Sequence, residues 1–226
     1  MFQMDEENAK IRIAKRIARE FTELSKKRPL YANLGVGIPT QVANYVEGDD
    51  IFLQSENGML GVGPAAKPGE EDPFLINAGR VKVTETKGCV YFDSATSFAM
   101  IRGGHIDVTA IGAFEVDEKA NVANWIIPNG KMLGVGGAMD LVVGAKKVYI
   151  AMQHATKKGE PRIIPACKLP ITGFGEVDVI VTEYALFRFI EGKLVLEEIV
   201  PEITLDELKS VTSAAYTISP DLKKYL

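Results

Sequence analysis

Short apolar segments ended by glycine or proline, with helical stretches between several of them, constrain the fold of this chain most. Segments of this kind are typical of buried strands. The predicted strands cover residues 30–34, 51–54, 81–84, 90–92, 108–114, 148–152 and 177–181. Strands alternating with helices predict an α/β domain, because this order builds a parallel or mixed sheet with helices packed on it.

The helical segments have distinct patterns of apolar residues and caps. Near the N-terminus Ile13, Ile17 and Phe21 recur at a spacing of four, which places them on one face of a helix capped by Asp5. Thr204 is followed three residues later by Glu207, the arrangement of a capping box. The predicted helices cover residues 5–27, 39–46, 94–102 and 205–211.

The chain is expected to form one domain with a mixed, largely parallel sheet. Residues 117–121 separate two apolar segments and predict a hairpin turn, so part of the sheet is antiparallel. A length of 226 residues suits a single core. The sequence contains no repeat and no long polar linker, so residues 1–226 are interpreted as a single domain.

Composition excludes several classes of function. Lys and Arg total 26 against 30 Asp and Glu, a net charge of −4, which provides no general attraction to nucleic acid or anionic lipid. No apolar run reaches the ~18 residues of a membrane span, and the N-terminus is acidic where a signal peptide is basic. Two cysteines and two histidines are too few for a typical zinc site. We therefore expect a cytoplasmic protein with no metal and no membrane or nucleic-acid partner.

Glycine pairs follow three predicted strands. The pairs are Gly35 with Gly37, Gly61 with Gly63, and Gly134 with Gly136. A single pair is most simply a tight turn between a strand and a helix. Three pairs in one chain favour a pocket lined by backbone amides, because glycine has no Cβ to obstruct a ligand.

Glu56 stands where a strand ends, and two interpretations of its surroundings are open. Asn57 and Gly58 are typical of a two-residue hairpin turn, in which Glu56 only faces water. Alternatively, Glu56 lies at the carboxyl end of a sheet strand, where open α/β sheets bind ligands. A carboxylate in that position can act as a nucleophile.

A nicotinamide-binding site is a third possibility for this region. Gly35, Gly37 and an acidic residue about twenty positions later resemble a dinucleotide fingerprint. Thr40 replaces the third glycine or alanine, and residues 58–64 form a poor helix. These departures disfavour a dinucleotide site.

Five motifs together resemble the β subunit of the class I 3-oxoacid coenzyme A transferases, over about residues 9–220. They are Asn-Leu-Gly-Val-Gly-Ile-Pro at 33–39, Gln-Ser-Glu-Asn-Gly at 54–58, Asn-Ala-Gly-Arg at 77–80, Ile-Arg-Gly-Gly-His at 101–105 and Gly-Gly-Ala-Met-Asp at 136–140. The resemblance implies a three-layer α/β/α open sandwich, the CoA-transferase fold. It also implies an α subunit as partner in an α2β2 or larger assembly.

The activity implied by the resemblance is transfer of coenzyme A between an acyl-CoA and a short carboxylate without any cofactor. Acetate, butyrate and acetoacetate are the leading substrates. A succinyl-CoA:3-oxoacid or 3-oxoadipate CoA-transferase is the alternative, followed by a non-catalytic acyl-CoA-binding relative.

Matching the family motifs residue by residue assigns roles within this sequence. The resemblance implies that Glu56 is the nucleophile and that Gly137 donates its amide to an oxyanion hole. Asn33, Arg80 and Gly136 are expected to bind coenzyme A. Apart from the motifs, Lys82 and Lys131 could meet CoA phosphates, although an exposed lysine that only contacts water is the more common case. His105 and His154 are interpreted as hydrogen-bonded structural side chains rather than acid-base groups.

Overall fold

A ten-stranded sheet forms the centre of the computed structural model, which describes residues 4–126 and 134–225. Its strands, in spatial order, are β13-β12-β11-β10-β8-β5-β1-β2-β3-β4. Their bounds are β1 Leu30–Leu34, β2 Ile51–Ser55, β3 Met59–Ala65, β4 Val83–Tyr91, β5 Val108–Ile111, β8 Val148–Ala151, β10 Val179–Val181, β11 Ala185–Ile190, β12 Lys193–Ile199 and β13 Thr217–Lys224. A smaller sheet contains β6 Glu115–Asp117, β7 Val122–Ala123 and β9 Ile163–Ile164 in the order β7-β6-β9.

Five neighbouring strands in the middle of the large sheet are parallel. They run in the order β2-β1-β5-β8-β10. β3, β4 and β11 pair antiparallel to their neighbours on either side of this group. The prediction of a mixed, largely parallel sheet is therefore confirmed, and the five central parallel strands end along one edge.

Helix α1 covers one face of the sheet. The helices are α1 Glu6–Ser25, α2 Ser94–Arg102, α3 Ala138–Gly144 and α4 Leu205–Ser210, with a 3₁₀ helix at Ile38–Asn44. Phe21 of α1 packs edge-on against Tyr149 of β8, with ring centroids 5.7 Å apart. Tyr149 is in register with Ala110, and Ala110 with Leu34, so these side chains share one face. Burying each large apolar side chain of α1 contributes about 1.5–3 kcal/mol.

The opposite face of the sheet meets α2. Gln54, Asn33 and Thr109 are in register across β2, β1 and β5, one residue out of phase with Leu34 and Ala110. Since alternate residues of a strand face opposite sides, these polar residues point away from α1. Gln54 Nε2 donates to Ser97 Oγ of α2 at 2.7 Å. Helices on both faces confirm the three-layer α/β/α fold.

The helix caps and the hairpin turn agree with the sequence. Asp5 accepts a hydrogen bond from the Asn8 amide at the start of α1. Thr204 and Glu207 form a complete capping box at α4. β6 and β7 are antiparallel across the predicted turn at residues 117–121.

Other elements differ from prediction. The predicted strands at 81–84 and 90–92 are parts of one strand, β4, and the segment at 39–46 forms a 3₁₀ helix rather than an α-helix. α3, β3 and the C-terminal strands β11 to β13 were not predicted.

The two histidines occupy different environments. His154 is fully buried, with Nδ1 3.0 Å from Thr182 Oγ1 and Nε2 2.8 Å from Thr212 Oγ1, so its predicted structural role is confirmed. His105 is exposed, and no side-chain hydrogen bond connects it to the described residues. The hydrogen-bonded structural role predicted for His105 stays a prediction.

Burial of His154 makes the stability of the fold sensitive to acid. Burial lowers the pKa of His154 to about 3, whereas an unfolded histidine has a pKa of ~6.5. As the pH falls below ~6.5 the unfolded chain binds a proton that the folded chain does not, so folding loses about 1.4 kcal/mol per pH unit. Between pH 7 and pH 5, the free energy of unfolding should therefore fall by about 2 kcal/mol less for His154→Gln than for the wild-type chain.

Urea unfolding at pH 7, 6 and 5 measures this difference. His105→Gln is the matched control, because His105 is exposed. Its free energy of unfolding should change with pH as that of the wild type does. The same change of unfolding free energy with pH in His154→Gln and the wild type would contradict the lowered pKa of His154.

Candidate active site

A cavity of about 610 Å³ opens at the edge where the parallel strands end. Residues directly after β1, β2, β5 and β8 contribute to its wall, and the segment leading into α3 closes another side. Its lining includes Gly35, Val36, Glu56, Ala78, Gly112, Asn124, Gly136, Gly137, Gln153 and Arg162. Carboxyl ends of parallel strands are where open α/β sheets bind ligands.

Glu56 lies in a hairpin loop and also lines the cavity, so each of the two interpretations left open by the sequence is correct in part. Ser55 of β2 pairs with Met59 of β3, so residues 56–58 form a hairpin loop. Gly58 has φ +122°, and a Cβ there would lie 2.0 Å from Phe92 O, so glycine is required at this turn. The loop is three residues long rather than two, and its first residue, Glu56, lines the cavity.

A chain of buried side chains lies behind Glu56. Asn33 Nδ2 is 2.6 Å from Gln54 Oε1 and 3.4 Å from Glu56 Oε2. Thr109 Oγ1 donates to Asn33 Oδ1 at 3.3 Å, and Gln54 Nε2 donates to Ser97 Oγ. Asn33, Gln54, Ser97 and Thr109 are all buried, so each needs the partner that the next one supplies. The network directs the Asn33 amide toward the Glu56 carboxylate.

Gly137 lies beside Glu56 at the start of α3. A Cβ on Gly137 would lie 3.6 Å from Glu56 Cγ and 2.9 Å from Phe98 Cζ. Its φ of −86° is accessible to any residue, so the space beside Phe98, not the backbone angle, favours glycine here. Gly136 also lines the cavity. The structure thus brings Glu56, Asn33, Gly136 and Gly137 together.

The middle glycine pair does not belong to the site. Gly61 and Gly63 lie within β3, where their missing side chains admit β4. A Cβ on Gly63 would be 2.4 Å from Thr84 Oγ1. The expectation that all three pairs form turns lined by backbone amides is wrong for this pair.

The cations predicted for coenzyme A lie away from the cavity lining or outside the described residues. Arg80 is exposed in a turn with φ +62°, two residues after Ala78, which lines the cavity. Lys82 Nζ donates to Pro73 O at 2.6 Å. Lys131 falls outside the described residues. Their roles at CoA phosphates stay predictions.

Arg162 is a cavity residue that sequence reasoning missed. It lies just before β9, with its amide donating to His154 O at 3.2 Å and its carbonyl accepting from Val116 N at 2.9 Å. The side chain is partly buried, and burial lowers its pKa. No motif includes this residue, and only the pairing of β9 with β6 places it beside the strand ends.

Neither a cluster of metal ligands nor a membrane-spanning helix occurs in the part of the chain that the structure describes. No group of three or more His, Cys, Asp and Glu side chains is arranged to hold a metal ion within residues 4–126 and 134–225. In the same ranges, none of the helices has the length and hydropathy to cross a bilayer. The expectation that no cofactor is needed stays a prediction.

Comparison with known proteins identifies the family. Residues 12–210 match the coenzyme A transferase family. The chain is 47% identical to the acetate CoA-transferase subunit beta of Haemophilus influenzae, covering 96% of this chain and 95% of that protein. It is 45% identical to the matching subunit of the probable succinyl-CoA:3-ketoacid coenzyme A transferase of Bacillus subtilis, covering 93% and 96%.

A solved structure gives the same result for the fold. The acyl-CoA transferase YdiF apoenzyme of Escherichia coli O157:H7 matches with a TM-score of 0.74 at 25% identity. The match covers 99% of this chain and 44% of that one, so this chain spans less than half of YdiF. Taken with the cavity around Glu56, these matches show that the chain belongs to the coenzyme A transferase family and corresponds to its β subunit.

Proposed function

We propose that this chain transfers coenzyme A between an acyl-CoA and a short carboxylic acid, with Glu56 as the covalent nucleophile. The observation that supports this proposal most strongly is the position of Glu56. Its carboxylate lies in a cavity at the edge where the parallel strands end, 3.4 Å from Asn33 Nδ2 and beside Gly137.

The proposed reaction is a double displacement in which every step exchanges one acyl bond for another. Glu56 attacks the thioester carbonyl of the acyl-CoA, which forms an acyl-glutamyl anhydride and releases CoA thiolate. The thiolate then attacks the glutamyl carbonyl, which releases the first carboxylate and leaves a glutamyl-CoA thioester. The incoming carboxylate reverses both steps. A carboxylate is ionised at neutral pH, so no general base is required.

The surroundings of Glu56 supply what a weak nucleophile needs. Asn33 holds the carboxylate from one side, which limits its rotation before attack. The Gly137 amide donates no hydrogen bond to a described residue, and we propose that it donates to the developing oxyanion. A donor of this kind is worth on the order of 10²–10³ in rate in other enzymes. Gly136 and Arg80 are proposed to contact coenzyme A.

The relatives favour two groups of substrates. The Haemophilus protein is named for acetate and the Bacillus protein for succinyl-CoA and a 3-ketoacid. We propose acetate, butyrate or acetoacetate as substrates, with succinyl-CoA:3-oxoacid transfer as the alternative. The cytoplasmic location stays a prediction.

An α subunit is proposed as the partner, in an α2β2 or larger assembly. YdiF carries, within one chain, a segment beyond the part that this protein matches. Apolar side chains are exposed on the surface: Val36, which lines the cavity, is 62% exposed, Val143 of α3 67% and Phe174 74%. Exposed apolar groups of this size are typical of a protein interface. A partner covering them would also complete the cavity wall.

Glu56→Gln tests the nucleophile. Because an amide does not form the anhydride, CoA transfer by the complex with the α subunit should fall by about 10⁴-fold or more. Mass spectrometry after acyl-CoA and borohydride treatment should find Glu56 modified in the wild type only. Glu70→Gln, at an exposed position, is the matched control and should keep full activity. An unmodified Glu56 in an active complex would exclude the covalent mechanism.

Gly137→Ala tests the proposed oxyanion donor. The added methyl group would meet the Phe98 ring at 2.9 Å and displace the amide from Glu56, so kcat should fall by about 10- to 100-fold. The double variant Gly137→Ala/Phe98→Leu relieves the ring contact. Because the amide can then return to its place beside Glu56, the double variant should regain most of kcat together with thermal stability. Thermal stability regained without kcat would show that displacement of the amide does not explain the loss.

Activity of the separate chain tests the partner. The purified chain alone should show no CoA transfer, and addition of the α subunit should restore transfer, because the proposed partner would supply part of the cavity wall. Acyl-CoA hydrolysis is measured in the same assay, since an open glutamyl thioester would react with water. Full transfer by the chain alone would contradict an obligatory partner, and hydrolysis without transfer would indicate a hydrolase.

A further inference from the structure

Two charged residues are among the described residues that line the cavity, and the proposed mechanism uses one of them. They are Glu56 and Arg162. The remaining lining residues are apolar, glycine, or the amides Asn124 and Gln153. Glu56 is accounted for as the nucleophile, whereas the guanidinium of Arg162 has no part in the exchange of acyl bonds.

Arg162 and Glu56 belong to opposite walls of the cavity. Glu56 follows β2, while the backbone of Arg162 is held by His154, three residues beyond the end of β8. β1 and β5 lie between β2 and β8, so three strand spacings, or about 14 Å, separate the two strands. No ion pair joins Glu56 to Arg162, so the space between the two side chains remains open to a ligand.

The guanidinium forms no direct ion pair within the described residues. Its side chain has no hydrogen bond there and no carboxylate oxygen within 4.0 Å. The charge of Glu183 raises the pKa of Arg162, but burial has the larger effect and lowers it. A partly desolvated charge is costly when unpaired and becomes favourable when an anion binds it. The position is therefore suited to an anionic group of a ligand.

We propose that Arg162 is a specificity-determining residue, whose guanidinium binds the remote carboxylate of a short dicarboxylic substrate such as succinate. The inference rests on the proposed function, since it assumes that Glu56 exchanges acyl groups in this cavity. One carboxylate of the acid reacts at Glu56, and the second reaches the opposite wall. A monocarboxylate such as acetate leaves Arg162 unused.

Two other anions fit the geometry less well. The reacting carboxylate must meet Glu56 beside Gly137, on the wall opposite Arg162. The phosphates of coenzyme A belong to its nucleotide end, remote from the thioester, whereas Arg162 shares the cavity of the nucleophile. A second carboxylate on the acyl group belongs to the molecule that reacts at Glu56, so it is the anion that we assign to Arg162.

Arg162→Met in the complex with the α subunit tests the proposal. With butyryl-CoA as donor, kcat/KM for succinate as acceptor should fall by about 10- to 100-fold, the effect of losing a charge-assisted hydrogen bond. The value for acetate should change by less than about 3-fold, and KM for butyryl-CoA should not change. Arg162→Lys should retain part of the preference for succinate. Arg19→Met, on the exposed side of α1, is the matched control.

Each alternative has its own result. Equal losses of kcat/KM with succinate and acetate would mean that Arg162 binds the reacting carboxylate or is needed for folding. A raised KM for butyryl-CoA would mean that Arg162 binds a phosphate of coenzyme A. Either result overturns the proposal, as does an unchanged kcat/KM for succinate. A wild-type complex that uses acetate but not succinate overturns it while leaving the proposed function intact. Transfer to neither acid overturns the proposed function itself.

A comparison of substrates avoids any dependence on folding of the variant. Monomethyl succinate has the shape of succinate but lacks the remote charge. The wild-type complex should prefer succinate by about 10-fold or more. Equal use of the acid and its ester would overturn the proposal.

Discussion

The parallel pairing of β2, β1, β5 and β8 is the constraint on which the site depends. Parallel strands end on the same edge, and here that edge carries Glu56, Gly35, Gly112 and Gln153 into one cavity. Helices on both faces bury the sheet and leave this edge accessible. Glu56 therefore owes its position to the register of β2 on β1.

The register is supported by polar groups inside the protein. Asn33, Gln54 and Thr109 face one another across three strands, and Ser97 closes the network from α2. A shift of β2 by one residue would turn Gln54 to the apolar face and remove the Gln54 side chain as acceptor for Asn33 Nδ2. A buried polar group without a partner costs about 1–3 kcal/mol, so this network favours the arrangement that aligns Asn33 with Glu56.

Much of the sheet centre and part of the site are predictable from the sequence, because both depend on local patterns. The short apolar segments that form β1, β2, β5, β8 and β10 and the motif around Glu56 are each contiguous in the chain. The hairpin of β11 and β12 was missed although Glu191 and Gly192, both at positive φ, form its turn. Glu-Gly is a weaker hairpin signal than Asn-Gly or Asp-Gly. Arg162 was missed for a different reason: the pairing of β9 with β6 that places it is non-local.

The distribution of charge in the cavity connects the fold to the chemistry. A weak nucleophile gains from an apolar surrounding, because an oxyanion is stabilised more strongly by a fixed amide donor where water is excluded. The same surrounding makes an unpaired guanidinium unfavourable. Glu56 and Arg162 lie on opposite walls of one cavity, so an anionic substrate end that satisfies Arg162 also fixes the distance of its other end from Glu56. Binding at one wall would thus orient the reacting group at the other, as remote binding energy does in enzymes.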